Sequence, residues 1–260
     1  MEQKLSVSRM RHTAGSPFRL APAALLPALV ALLGALLALP PAVRAQAQTI
    51  GLELFELAGG APKYRGERQV SVTSGVVTEV TSYRDPAGQE VQHVEAVYRE
   101  ENLGVVSYRA RDMVIGREED LLYKDGKVQM RYVSEAGADP DIDTVDWQNS
   151  IAFSPVVVPL IVRNWERLRG GAEVTFDLLV PSRQDTVGFR VRMDGAAELN
   201  GAPVTVMRME PSSWIIRRLV DPMYFAIEDA PSHRVLEFRG RSTIPTKSGG
   251  DQDLRMVYRY

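Results

Sequence analysis

The chain has 260 residues, 45% of them hydrophobic and 25% charged, and no cysteine; this is an ordinary composition for a folded soluble domain. Setting aside residues 1–45, which hold five of the basic side chains and one of the acidic, leaves 26 basic against 32 acidic, a formal charge of −6. That balance argues against nucleic acid as a partner, and without disulfides the fold must rest on its core.

The first 45 residues stand apart. Lys4, Arg9, Arg11 and Arg19 make a basic start, and Ala21 to Leu39 is almost wholly Ala, Leu, Val and Pro. Val43-Arg44-Ala45 and Ala45-Gln46-Ala47 have the small-x-small form that a signal peptidase accepts. The reading is a signal peptide over residues 1–45, cleaved near Ala45 or Ala47, and a destination in a bacterial periplasm or outside the cell. The alternative is an uncleaved N-terminal membrane anchor, since this apolar stretch is just long enough to span a bilayer; Pro22 and Pro27 count against it. Residues 46–260 are then one antiparallel β domain with an inserted helix.

Ile50 to Leu57 alternates weakly, and from Val70 onward the period is two. Val94, Ala96 and Tyr98 share a face; so do Val106, Tyr108 and Ala110, against Ser107, Arg109 and Arg111; Val128, Met130 and Tyr132 alternate with Gln129 and Arg131. Asp85-Pro86-Ala87-Gly88, Glu101-Asn102-Leu103-Gly104 and Lys124-Asp125-Gly126-Lys127 read as hairpin turns. Glu135 to Asp146 reads as an acidic connection. Ser154 to Gly171 is the convincing helix, with Ser154 as cap, Pro155 in the first turn and a Gly170-Gly171 stop. Val157, Val158, Ile161, Val162, Trp165 and Leu168 form its apolar stripe, opposite Arg163, Arg167 and Arg169.

Strands resume over Glu173–Val180, Val187–Met193 and Val204–Met209, the last after an Asn200-Gly201 turn. Ser212–Val220 fits a short helix or a strand. Met223–Ile227 and Val235–Arg241 form a hairpin, and Leu254, Met256, Tyr258 and Tyr260 close the chain. The sum is a mainly β protein, a curved antiparallel sheet or incompletely closed β-barrel of roughly ten strands, with one main helix at about residues 155–169 packed on its inner face.

Few residues bear chemistry. Asp139, Asp141, Asp143 and Asp146 offer hard oxygens at alternating positions, a weak calcium candidate, but Thr144 stands where an EF-hand needs Gly and Ser150 where it needs Glu; a solvated acidic loop is the plainer reading. His93 and His233 are the only histidines after residue 45 and lie in no zinc or catalytic spacing. No metal, cofactor or catalytic residue is expected. Arg109, Arg111, Arg190, Arg192, Arg239, Arg241, Arg255 and Arg259 mark outward faces, to be met by cross-strand carboxylates such as Glu237 or by anionic headgroups. The inward set is Val106, Tyr108, Met130, Tyr132, Phe176, Phe189, Val191, Met193, Leu236, Phe238, Met256 and Tyr258, with Trp165 from the helix. Met and aromatic side chains of this kind suit an acyl-chain cavity and suit a filled core equally.

Residues 147–242 resemble a bacterial envelope family filed as a domain of unknown function. The likeness lies in an order of features: Asp146-Trp147 and Ser150, a proline-containing helix ending in Arg-Gly-Gly, the strand Val174-Thr175-Phe176-Asp177, the pair Val187–Met193 and Val204–Met209, and the closing hairpin Met223–Asp229 and Arg234–Gly240. The resemblance implies the lipoprotein-carrier half-barrel, with a helix across its opening, and a role in holding lipid or maintaining the envelope. It brings no catalytic residue. The expected partner is a lipid or other apolar small molecule; the alternative is a structural module that docks another envelope protein, and an envelope hydrolase ranks third.

Overall fold

The computed structural model describes residues 46–260; the expected signal peptide or anchor lies outside them. Seven strands follow one another through the first half: β1 (Gln46–Glu56), β2 (Tyr64–Thr73), β3 (Val76–Arg84), β4 (Glu90–Arg99), β5 (Val105–Asp112), β6 (Glu118–Lys124) and β7 (Lys127–Val133). Then come β8 (Asp141–Asp146), β9 (Ile151–Ala152), a 3-10 turn (Ser154–Val156), and two short helices, α1 (Val157–Arg163) and α2 (Trp165–Arg169). The second half carries β10 (Val174–Val180), β11 (Asp185–Leu199), β12 (Ala202–Pro211), β13 (Met223–Glu228), β14 (Val235–Arg241) and β15 (Asp253–Arg259).

All belong to one open, curved sheet in the order β8-β7-β6-β5-β4-β3-β2-β1-β15-β14-β13-β12-β11-β10-β9. Each half is a meander of neighbours, and the two halves meet where β1 pairs with β15, from Gly51 opposite Arg259 to Glu56 opposite Leu254. Every pairing is antiparallel except β9 with β10, which runs parallel across the helical connection.

The 15 strands correct the expected ten, and the reasons are local. Ser74-Gly75 divides β2 from β3 as a two-residue turn with both φ positive, 51° and 75°, without the Asn-Gly or Asp-Gly pair that marks the recognised turns. β6 places Glu119 among its inward residues, at the parity of Leu121, which erases the alternation. β8 is an edge strand exposed on nearly all its length, so no buried face imposes a pattern on it; the segment read as an acidic connection is therefore partly strand. Asp125-Gly126 and Asn200-Gly201 do turn as expected, all four with positive φ.

The helix also differs in detail. Phe153, in extended conformation, takes the cap position of the 3-10 turn, and Ser154 follows it without a side-chain cap bond. Asn164, at φ −101° and ψ 17°, breaks the helix in two, while its side chain donates to the Leu160 carbonyl at 2.9 Å. Gly171, at φ +86°, supplies the left-handed stop. Of the apolar stripe, Val157, Ile161, Trp165 and Leu168 point inward and, with Val156, pack with Val105, Val128 and Met130 from the first half and with Phe176, Val191, Met207 and Ile227 from the second, while Val158 and Val162 are half-buried. The helices thus fasten both arms of the sheet to one core. A smaller core of Ile50, Leu52, Leu54, Tyr64, Tyr83, Ile244 and Leu254 lies near the β1–β15 seam.

Candidate functional site

Between the start of the helical segment and the concave face of the sheet lies a cavity of about 170 Å³, room for on the order of a dozen waters. Ser154, Pro155, Val157 and Val158 form its roof. Val94, Ala96 and Tyr108 wall one side, and Leu178, Met209, Met223, Phe225, Phe238 and Met256 wall the other. The wall is adaptable: Met side chains bend around irregular shapes, and Phe225 and Phe238 meet at 5.0 Å.

Besides Arg241, Ser242 and Thr243 where β14 ends, Arg241 being paired with Asp251 and Asp253, one patch of this cavity is polar. It is built by Arg68 on β2, by Glu79, Thr81 and Tyr83 on β3, and by Tyr258 on β15. Strand parity explains the set. β3 alternates burial along its length, turning Val77, Glu79, Thr81 and Tyr83 inward, and Arg68 shares the inward parity of β2 with Tyr64, Val70 and Val72. Tyr83 stands opposite Gly66 in register. A Cβ on Gly66 would come within 2.7 Å of the Tyr83 ring, so only glycine lets that ring fold across β2 beside Arg68.

Arg68 Nε donates to Thr81 Oγ1 at 3.3 Å and lies 4.0 Å from Glu79 Oε2, too far for a hydrogen bond. Its guanidinium sits 5.8 Å from the centre of the Tyr258 ring. The other Glu79 oxygen accepts the Tyr98 hydroxyl at 2.7 Å. Burial pulls the Arg68 pKa down, but Tyr258, Glu79 and Tyr83 outweigh it and leave the pKa above the ordinary arginine value. Burial pushes the hydroxyls of Tyr83, Tyr98 and Tyr108 upward, and that of Tyr258 to about 12. At neutral pH Arg68 therefore contributes a fixed positive charge and the tyrosines contribute protonated phenols, beside the Glu79 carboxyl.

Of the sequence-derived inner set, Tyr108, Phe238, Met256 and Tyr258 line the cavity. Met130, Phe176 and Phe189 are buried in the main core, and Met193 packs half-buried against it. Tyr132 is half-buried on β7, opposite Asp141. Trp165 is buried, its ring 4.3 Å from that of His233. Arg68, Glu79, Thr81 and Tyr83 carry no signal in the sequence analysis, although Arg68 lies two residues before Val70, where the period-two alternation begins.

The remaining candidates are dispersed. Asp141, Asp143 and Asp146 are spread along β8, with Asp146 bonded to Lys127 at 2.6 Å, and Asp139 precedes the strand. Among the described residues no three His, Cys, Asp or Glu side chains group closely enough to hold a metal. His93 lies between Glu90 and Glu95, at 3.2 and 3.4 Å. All of the outward arginines except Arg192 pair with carboxylates. The ambiguous Ser212–Val220 stretch is a loop with a single 3-10 turn at Ile216–Arg218. It exposes Trp214, Ile215 and Leu219 and springs from the strand ends that carry Met209 and Met223.

No protein-family model matches the sequence, and no curated protein matches it. Solved structures do. A β-barrel-like protein of domain of unknown function DUF1849 from Brucella abortus aligns at 11% identity and a TM-score of 0.44, over 83% of this chain and 95% of that one. A domain described as outer membrane lipoprotein-sorting, from Vibrio parahaemolyticus, aligns at 9% and 0.24, over 82% and 83%. A DUF1329 family protein from Desulfovibrio piger aligns at 6% and 0.23, over 84% and 87%. Two of the three are proteins of domains of unknown function, and one is a lipoprotein-sorting domain.

Proposed function

We propose that this is an exported, non-enzymatic protein of the bacterial envelope that holds a lipid or other apolar ligand between its helix and its sheet. The cavity carries this reading: it is roofed by the helical segment and walled by flexible Met and aromatic side chains, as small-molecule sites are, with a few polar groups among them. The full chain, expressed in a bacterium and purified from the envelope fraction, tests it by native mass spectrometry. A co-purifying apolar molecule, released on denaturation, is the expected result; no adduct, together with no binding of a fluorescent fatty acid, would overturn it. The same spectra give the mass of the mature chain, expected to begin at Gln46 or Gln48.

A second reading, a module that docks another envelope protein, is favoured by the exposed Trp214, Ile215 and Leu219. Crosslinking from position 214 in cells separates the two: a module gives one stable adduct, and a ligand holder gives none that persists.

A further inference from the structure

We propose that the cavity selects single-chain amphiphiles with an anionic head, carboxylate or phosphate, and that Arg68 receives that head. The proposal rests on the reading that the cavity holds a ligand and adds the ligand's class.

The argument starts from how this chain treats its other half-buried charges. Glu210 is held by Arg190 at 2.5 Å and Arg208 at 2.8 Å. Glu237 is held by Arg239 at 2.6 Å and Arg255 at 3.0 Å, and Glu228 by Arg234 at 2.6 Å. In the cavity the corresponding pair stops at 4.0 Å. Glu79 has turned one oxygen to Tyr98 instead, and among the described residues no carboxylate comes within hydrogen-bond reach of Arg68. A guanidinium carries five N–H donors in a fixed fork. Here Nε reaches Thr81, Glu79 Oε2 stays at 4.0 Å, and the Tyr83 and Tyr258 side chains line the same patch.

Arg68 is half-buried, and a partly desolvated charge short of partners gains when something completes its hydrogen bonds. A carboxylate or phosphate matches the fork with two parallel bonds, and the Tyr83 and Tyr258 side chains flank the place where such a head would lie. The tail then runs among Met209, Met223, Phe225, Phe238 and Met256. The space available suits one chain, not the two of a phospholipid. A cationic head would have to find Glu79 instead. That side chain is 11% exposed against 23% for Arg68, so the arginine is the more accessible of the two.

The experiment is a calorimetric titration of the full mature chain, stripped of co-purified lipid, with dodecanoate, dodecyl phosphate, dodecanol and dodecyltrimethylammonium. Both anions are expected to bind about tenfold or more tightly than dodecanol, since the alcohol leaves the fork unmatched. In Arg68→Met that preference should vanish while dodecanol affinity stays within about twofold, and Arg68→Lys should keep part of it. A preference for dodecanoate over dodecyl phosphate, or the reverse, tells which head is native. Equal binding of dodecanol and the anions by the wild-type chain, which requires no variant to fold, would overturn the proposal. So would tightest binding of the cation, or an anion preference that survives in Arg68→Met. If none of the four binds, the ligand-holding reading itself falls, and this inference with it.

Discussion

The two faces of the sheet use charge differently. On the convex face, Glu228 accepts bonds from the Ser232 hydroxyl, the Arg234 backbone N–H and the Arg234 guanidinium, Glu210 is met by Arg190, Arg208 and Arg217, and Glu237 sits between Arg239 and Arg255. On the concave face Arg68 and Glu79 lie close without joining. Both faces come from the same sheet at opposite strand parity. On the outer face the charges are closed into pairs that fix the register of neighbouring strands; on the inner face cohesion is left to apolar packing, and the charge remains open to the cavity.

The largest test of that contrast is on the apolar side. Ile161 is completely buried in the core that joins both arms, so Ile161→Ala should cost about 3 kcal/mol in urea unfolding, more than any charge removal. Next comes the outer face. Arg234 holds the Glu228 carboxyl down at about 2, assisted by Ser232 against the opposing effect of burial, and Glu228→Gln should cost about 2 kcal/mol at neutral pH. A depressed carboxyl stabilises the fold above its unfolded pKa and loses that contribution as pH falls through the folded one. The gap between wild type and Glu228→Gln should therefore stay level above about pH 4.5 and narrow from there toward pH 2; a gap that widens on acidification would break the comparison.

A double-mutant cycle on Arg68→Met and Glu79→Gln comes third, with a coupling below about 1 kcal/mol if the pair is as open as its spacing implies. Coupling as strong as that of a closed buried pair would erase the distinction between the faces. The smallest effect belongs to Arg109, 61% exposed and 3.4 Å from Asp120. Arg109→Ala should shift stability by less than about 0.5 kcal/mol.

The sequence made some of this plain and hid the rest for physical reasons. Hairpin turns with Asp-Gly or Asn-Gly, the helical stripe from Val157 to Leu168 and the outward arginines are local signals and were legible. β8 was not, because an edge strand with two wet faces has no pattern to show. β3 was misleading in a more instructive way. Its outward residues, Val76, Thr78, Val80 and Ser82, look as apolar as its inward ones, Val77, Glu79, Thr81 and Tyr83. A strand that lines a partly polar cavity resembles a strand facing water, so the very residues that set the site apart disguise the face it lies on. Tyr108, Phe238, Met256 and Tyr258 were found because they are apolar at the right parity. Which of the inner set border open space and which are packed solid depends on distances across the sheet, which no single strand records.

The seam between β1 and β15 sets the order of events in folding. Residues 46–146 and 151–259 can each zip into a meander from neighbouring hairpins, with short loops and little closure entropy. Joining them requires Gly51 to find Arg259, a contact spanning almost the whole domain. A chain emerging N-terminus first cannot make that contact until residues 253–259 have appeared, so both arms wait with a bare edge. Any chaperone that shields this chain before the seam closes has those two strands to cover.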